Sequence, residues 1–271
     1  MSHFENPLPD PSLPPVEAAL SYPLPEPQRE NPPWSGWEVL QIAGVTLVMI
    51  VVFVLATTFV TQRLLYPKTS IMDVAKIPLV SVVAQLLAYL IILGYMAVIA
   101  GRRTGGSLWH EVRWFWPKAW GVYLFGGIVM AFSLQGIAHF LPMPRELPID
   151  KFFQTPMEAW VLSLFGVTLA PLMEELFFRG FLYPVLARRV GLVLAILFTA
   201  AGFGLIHAPQ LGRAWGPVVV VFLVGLVLTI VRAVTRSVAP GFLMHMAYNA
   251  TLSSLLFVAS GGFRHLDKLG Q

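Results

Sequence analysis

Seven stretches of this chain are apolar over lengths that suit a bilayer crossing, and that feature narrows its fold more than any other. They fall near 38–61, 77–100, 119–141, 157–187, 190–209, 217–234 and 238–259. A helix rises about 1.5 Å per residue, so about 20 residues span a hydrocarbon core about 30 Å thick. Composition points the same way. Hydrophobic residues make up 56% of the 271 and charged residues only 12%, with a mean hydropathy of +0.72. A soluble domain carries about 25% charged residues and could not bury so much apolar surface. The expected fold is all-α, a polytopic transmembrane helical bundle of about seven spans, in a multi-pass integral membrane protein of the cytoplasmic membrane if the source is prokaryotic.

The flanking segments differ in character. Residues 1–37 hold ten of the 22 prolines, and five acidic residues against one arginine. Proline removes backbone donors and favours extended polyproline II, which predicts a disordered, solvated tail and not a cleavable signal peptide. Residues 38–156 read as N-terminal transmembrane helices, 157–259 as a C-terminal transmembrane core, and 260–271 as a C-terminal tail. Between the spans lie polar connectors such as "GRRTGGSLWHEVRWFWPK", whose Trp109, Trp114, Phe115 and Trp116 suit the headgroup level. Of the 18 Lys and Arg, nine fall on the N-terminal side of the predicted bundle, eight on the other and Arg179 within a span. That near-tie leaves orientation open under the positive-inside rule. The absence of cysteine excludes disulfides, thiolate metal sites and a cysteine nucleophile. No basic cluster is interleaved with aromatics, so no nucleic-acid partner is expected.

Against this background "PLMEELFFRG" at 171–180 stands out. A charged side chain at mid-bilayer costs about 2.5–3.5 kcal/mol on insertion scales, and such groups mark functional sites by default. Of 14 acidic residues, only Glu174 and Glu175 sit within an apolar run. Arg179 follows Glu175 by four, the favourable order for a helical ion pair. Adjacent helical residues point about 100° apart, so one glutamate can pair with Arg179 while the other faces elsewhere. Further along, "FGLIH" sets Phe203 and His207 on one helical face, and "HMAYN" does so for His245 and Asn249. A glutamate beside a histidine is a workable base for water, and a histidine with an asparagine can donate hydrogen bonds to an oxyanion.

Plainer readings exist for each group alone. Glu175 and Arg179 could be a buried strut, His207 the end of a helix before Ala208-Pro209, and His245 with Asn249 interhelical glue. Their concentration in the last hundred positions favours one shared site. His3, His110, His139 and His265 take no role. Neither H-E-x-x-H nor G-x-S-x-G occurs, and Asp10, Asp73, Asp150 and Asp267 all lie outside the spans, which leaves glutamate and histidine for any hydrolytic chemistry.

The three motifs in this order, "EELFFR", "FGLIH" and "HMAYN", resemble the CAAX prenyl endopeptidase and bacteriocin-processing (CPBP, or Abi) family of intramembrane proteases over roughly residues 157–259. The seventh predicted span is here the last, whereas some members carry an eighth. The resemblance implies an intramembrane endopeptidase, a glutamate protease, that cleaves near the C-terminus or membrane segment of a membrane-anchored protein or peptide in the bilayer. Glu174 and His207 would activate water, His245 and Asn249 would hold the oxyanion, and Glu175, Arg179 and Phe203 would support shape and charge. No cofactor is expected. The alternative is a divalent metal such as zinc held by Glu174, His207 and His245. Other readings are a catalytically silent scaffold or immunity protein of that family, and a proton-coupled transporter. The site should gather Glu174, His207, His245 and Asn249 within a few ångströms or one bridging water, in a cavity that water can reach. His245 fits least well, since it falls about seven residues into a span that starts from the far side; "SVAPGF" before it has to begin below the surface.

Overall fold

The computed structural model describes residues 30–144, 147–153 and 155–266. It is 78% helix, without strands among the described residues. In chain order the helices are α1 (Gly36–Leu64), α2 (Ile71–Val74), α3 (Pro78–Thr104), α4 (Leu108–Glu111), α5 (Trp120–Ala138), α6 (Pro156–Val167), α7 (Leu169–Glu175), a π-helical stretch (Leu176–Leu182), α8 (Tyr183–Val190), α9 (Leu192–His207), α10 (Trp215–Thr235) and α11 (Val238–Ala259). Six runs are long and apolar enough to cross a membrane: α1, α3, α5, the composite Pro156–Val190, α10 and α11. The remaining expected span, 190–209, is α9, which has 16 residues, or about 24 Å of helix. The chain is an integral, multi-pass membrane protein.

Local chemistry sets the helix starts. Ser35 and Glu38 form a capping box on α1, and Thr155 and Glu158 form another on α6. Pro78 and Pro156 open α3 and α6 where a missing N–H has no helical partner to lose. α3 stops on Gly105 at φ 68°, a left-handed conformation that glycine adopts without strain.

The overlong run 157–187 resolves into pieces. α6 breaks at Thr168 (φ −116°, ψ −70°), whose hydroxyl donates to Leu164 O at 2.7 Å. α7 then starts two residues before Pro171, which therefore occupies the first turn, close to the start that proline predicts. After Glu175 the helix widens, and Tyr183 N–H reaches back five residues to Phe178 O. This π stretch lies between two apolar clusters. Leu176 and Phe181 belong to one, with α1, α3 and Val112. Phe178 belongs to the other, with α5, α9, α10 and α11.

One feature differs from the sequence expectation. The tail expected through residue 37 is packed from Glu30 onward: Trp34 is fully buried, and its indole N–H donates to Phe181 O at 3.0 Å. Residues 1–29, and the final residues 267–271 of the expected C-terminal tail, lie outside the described residues. α11 does begin inside the protein, as His245 requires. Val238 N–H bonds Arg113 O at 3.0 Å, and Ser237 exchanges hydrogen bonds with Phe115 at 3.0 and 2.8 Å. The 112–116 connector thus covers that helix start.

Candidate active site

Glu175 and Arg179 are fully buried. Arg179 Nη1 donates to Glu175 Oε1 at 2.8 Å, Nη2 to Gly225 O at 2.9 Å, and Nε to Thr229 Oγ1 at 3.3 Å. Its guanidinium lies over the Phe203 ring, 4.7 Å from the centroid. All three nitrogens are engaged, which a buried guanidinium requires. Phe203 also touches both histidine rings, with centroids 4.7 Å from His207 and 5.8 Å from His245. It is the apolar post around which the site is arranged.

The same Glu175 Oε1 accepts from His245 Nδ1 at 3.0 Å. A carboxylate can only accept, so Nδ1 carries the proton and Nε2 is turned toward the centre. His207 is held in the same tautomer, because its Nδ1 meets the Phe203 carbonyl at 2.7 Å. Both Nε2 atoms face Glu174: His207 Nε2 lies 3.7 Å from Oε1 and His245 Nε2 lies 3.7 Å from Oε2. These separations exceed a direct hydrogen bond, as does a polar pair that shares a water. Exposure divides the two glutamates. The Glu174 side chain is 21% exposed and His207 16%, whereas Glu175 is at 0%. Adjacent carboxylates therefore have separate surroundings, one sealed and paired, the other reachable.

Asn249 sits one turn beyond His245 on α11. Its Nδ2 donates to Gly166 O at 2.7 Å, tying α11 to the last turn of α6. Glu174, His207 and His245 are thus brought together, with Glu175, Arg179 and Phe203 behind them. For Asn249 the hydrogen bond is to α6 and not to the triad.

The donor types of Glu174, His207 and His245 suit zinc. Among the described residues no group of three or more His, Cys, Asp or Glu is gathered as a ready-made metal site.

Comparison with protein families adds to this geometry. Residues 156–251 match the Rce1-like family model, described as Type II CAAX prenyl endopeptidase Rce1-like. This is the expected family. The match starts at Pro156, the first residue of α6, and ends in α11 beyond Asn249, so every candidate site residue falls inside the Rce1-like segment. The CAAX-protease-like intramembrane proteases are the kind of protein this segment supports. Neither curated proteins nor solved structures give a match.

Four residues around Glu175 and Arg179 were not singled out by the sequence. Gly225 and Thr229 receive Arg179, and Arg232 Nε donates to Arg179 O at 3.1 Å. They lie on α10 at i, i+4 and i+7, a polar stripe on an apolar helix that helical spacing makes visible. Glu30 binds Arg232 through both carboxylate oxygens, at 2.9 and 3.4 Å. It lies 202 residues away in sequence, and no local pattern announces it.

Proposed function

We propose that this chain is an intramembrane endopeptidase that hydrolyses a peptide bond near the C-terminus or membrane segment of a membrane-anchored protein or peptide. The observation that carries the reading is the Glu174 carboxylate faced by the Nε2 atoms of two histidines, each 3.7 Å away. In this reading a water held between Glu174 and His207 gives its proton to Glu174 as its oxygen attacks the scissile carbonyl carbon. The oxyanion so formed is met by the Nε2–H of a protonated His245. Asn249, with one amide N–H on Gly166, offers its second. Collapse breaks the C–N bond while Glu174 returns the proton to the leaving amine.

These roles keep charge balanced. With His245 doubly protonated, as its oxyanion role requires, two ionised glutamates, Arg179 and one imidazolium sum to zero. Moving a proton from water to Glu174 while an oxyanion forms keeps that sum. In a low-dielectric site an uncompensated charge is costly, so a mechanism that never creates one is favoured.

The test uses the purified chain in lipid nanodiscs with membrane-anchored peptides, including a farnesylated one ending in a C-a-a-X tail, and product masses read by mass spectrometry. Glu174→Gln is expected to lower kcat by about 10³-fold or more with the fold retained, in line with loss of a general base and its electrostatics. Full turnover by that variant would overturn the assignment. EDTA is expected to leave cleavage unchanged; loss that added Zn²⁺ restores would replace the water-only mechanism.

A further inference from the structure

Pro184 leaves a gap in the helix that carries Arg179. In the π stretch Tyr183 N–H bonds Phe178 O, and the next residue, Pro184, has no N–H. The Arg179 carbonyl therefore has no donor in either register, because the residue four ahead is committed elsewhere and the residue five ahead is proline. A buried carbonyl needs a partner. Arg232 supplies it, with Nε 3.1 Å from Arg179 O.

Arg232 is itself 1% exposed and lies over the Tyr183 ring, 5.3 Å from the centroid. Its counter-charge is Glu30, which takes Nη1 at 2.9 Å and Nη2 at 3.4 Å. Two residues past Arg179, Phe181 O accepts the Trp34 indole N–H at 3.0 Å, and the two rings pack at a tilt with centroids 4.4 Å apart. Arg188 then holds the carbonyls of Pro32 and Trp34 at 3.1 and 3.0 Å. The segment from Glu30 to Trp34 thus crosses the π stretch and is fastened to it at several points.

We propose that this segment is a strap belonging to the active site, and that Arg232 is the positioning residue through which it acts. By holding the Arg179 carbonyl, Arg232 fixes the π register that aims the Arg179 guanidinium at Glu175, and Glu175 in turn orients His245. Glu30 and Trp34 lie outside the segment 156–251 that matches the family model, so the site is completed by residues that the matched segment lacks. The effect on turnover rests on the endopeptidase reading; the effect on the π stretch does not.

Rescue tests it. Pro184→Ala restores a backbone N–H beside the Arg179 carbonyl, so it should compensate for loss of the Arg232 donor. The full chain in nanodiscs is read in two ways: amide hydrogen exchange over 176–190, and kcat and KM on the farnesylated C-a-a-X peptide. Arg232→Gln is expected to speed exchange there by about tenfold and to lower kcat by about tenfold while KM stays within about twofold. Pro184→Ala/Arg232→Gln should return both readouts to within about threefold of wild type. An unchanged Arg232→Gln, or a folded double variant that recovers nothing, overturns the proposal. If Arg232→Gln alone does not fold, recovery of folded protein in the double variant sustains the proposal and its failure overturns it. If wild type leaves the peptide uncut, that substrate reading falls and the exchange measurement still decides the strap.

Discussion

At the residue scale, the two adjacent glutamates show how position alone divides labour. Glu175 gives one oxygen to both Arg179 and His245, and its Oε2 has no hydrogen-bond partner. Glu174 is reachable and flanked by two imidazoles. Removing a partner from a buried ion pair leaves a charge without compensation, which costs about 3–5 kcal/mol. Arg179→Ala is therefore expected to destabilise the protein by about that amount in denaturation measurements. Glu174→Gln should cost less than Arg179→Ala, because the Glu174 side chain is 21% exposed whereas Arg179 is sealed. The reverse ranking would mean that the catalytic and structural glutamates have been exchanged. "EELFFR" made the Glu175–Arg179 pair legible in sequence, since i to i+4 spacing is a local property. It could not say which histidine would meet which glutamate.

At the element scale, helix approach sets the distances. Gly241, in the first turn of α11, is where that helix passes Glu175: an added Cβ would stand 3.0 Å from Glu175 Oε2. That carboxylate is pinned by Arg179 and His245 and cannot swing aside freely. Gly241→Ala should push Glu175 off His245, lowering kcat by about tenfold with little change in KM. An unaltered kcat would show that the helices have slack there. The later motifs were legible because they repeat at helical spacing, as Phe203 with His207 and His245 with Asn249 do. The π stretch was not, since it depends on Pro184 and on donors from α10 and the N-terminal segment. Nor was the binding of Asn249 to Gly166, because a break at Thr168 brings the end of α6 against α11.

At the scale of the whole molecule, alternation of the spans puts the 104–119, 190–191 and 235–237 connections on one side and the 65–77 and 208–214 connections on the other. A chain without cysteine permits a clean test. Lys118 and Arg189 are exposed on the first side, Lys68 and Gln210 on the second. Single replacements by cysteine should label with an impermeant maleimide as two opposite pairs in sealed vesicles. Labelling of Arg189→Cys and Gln210→Cys from the same face would refute the 16-residue α9 as a span and with it a seven-fold crossing.

What the amino-acid sequence determined by itself was whatever rests on local or additive properties. Apolar length made membrane helices, the solvation cost of charge in lipid singled out Glu174, Glu175 and Arg179, and helical periodicity paired the later polar residues. What only the tertiary structure decided was convergence. His245 reaches Glu174 because α11 starts beneath the 112–116 connector, and the Arg179 carbonyl finds its donor on α10, held in turn by Glu30 from the first described residues. Such contacts join groups tens to hundreds of residues apart, where no periodicity operates and only the packing of the bundle sets who meets whom.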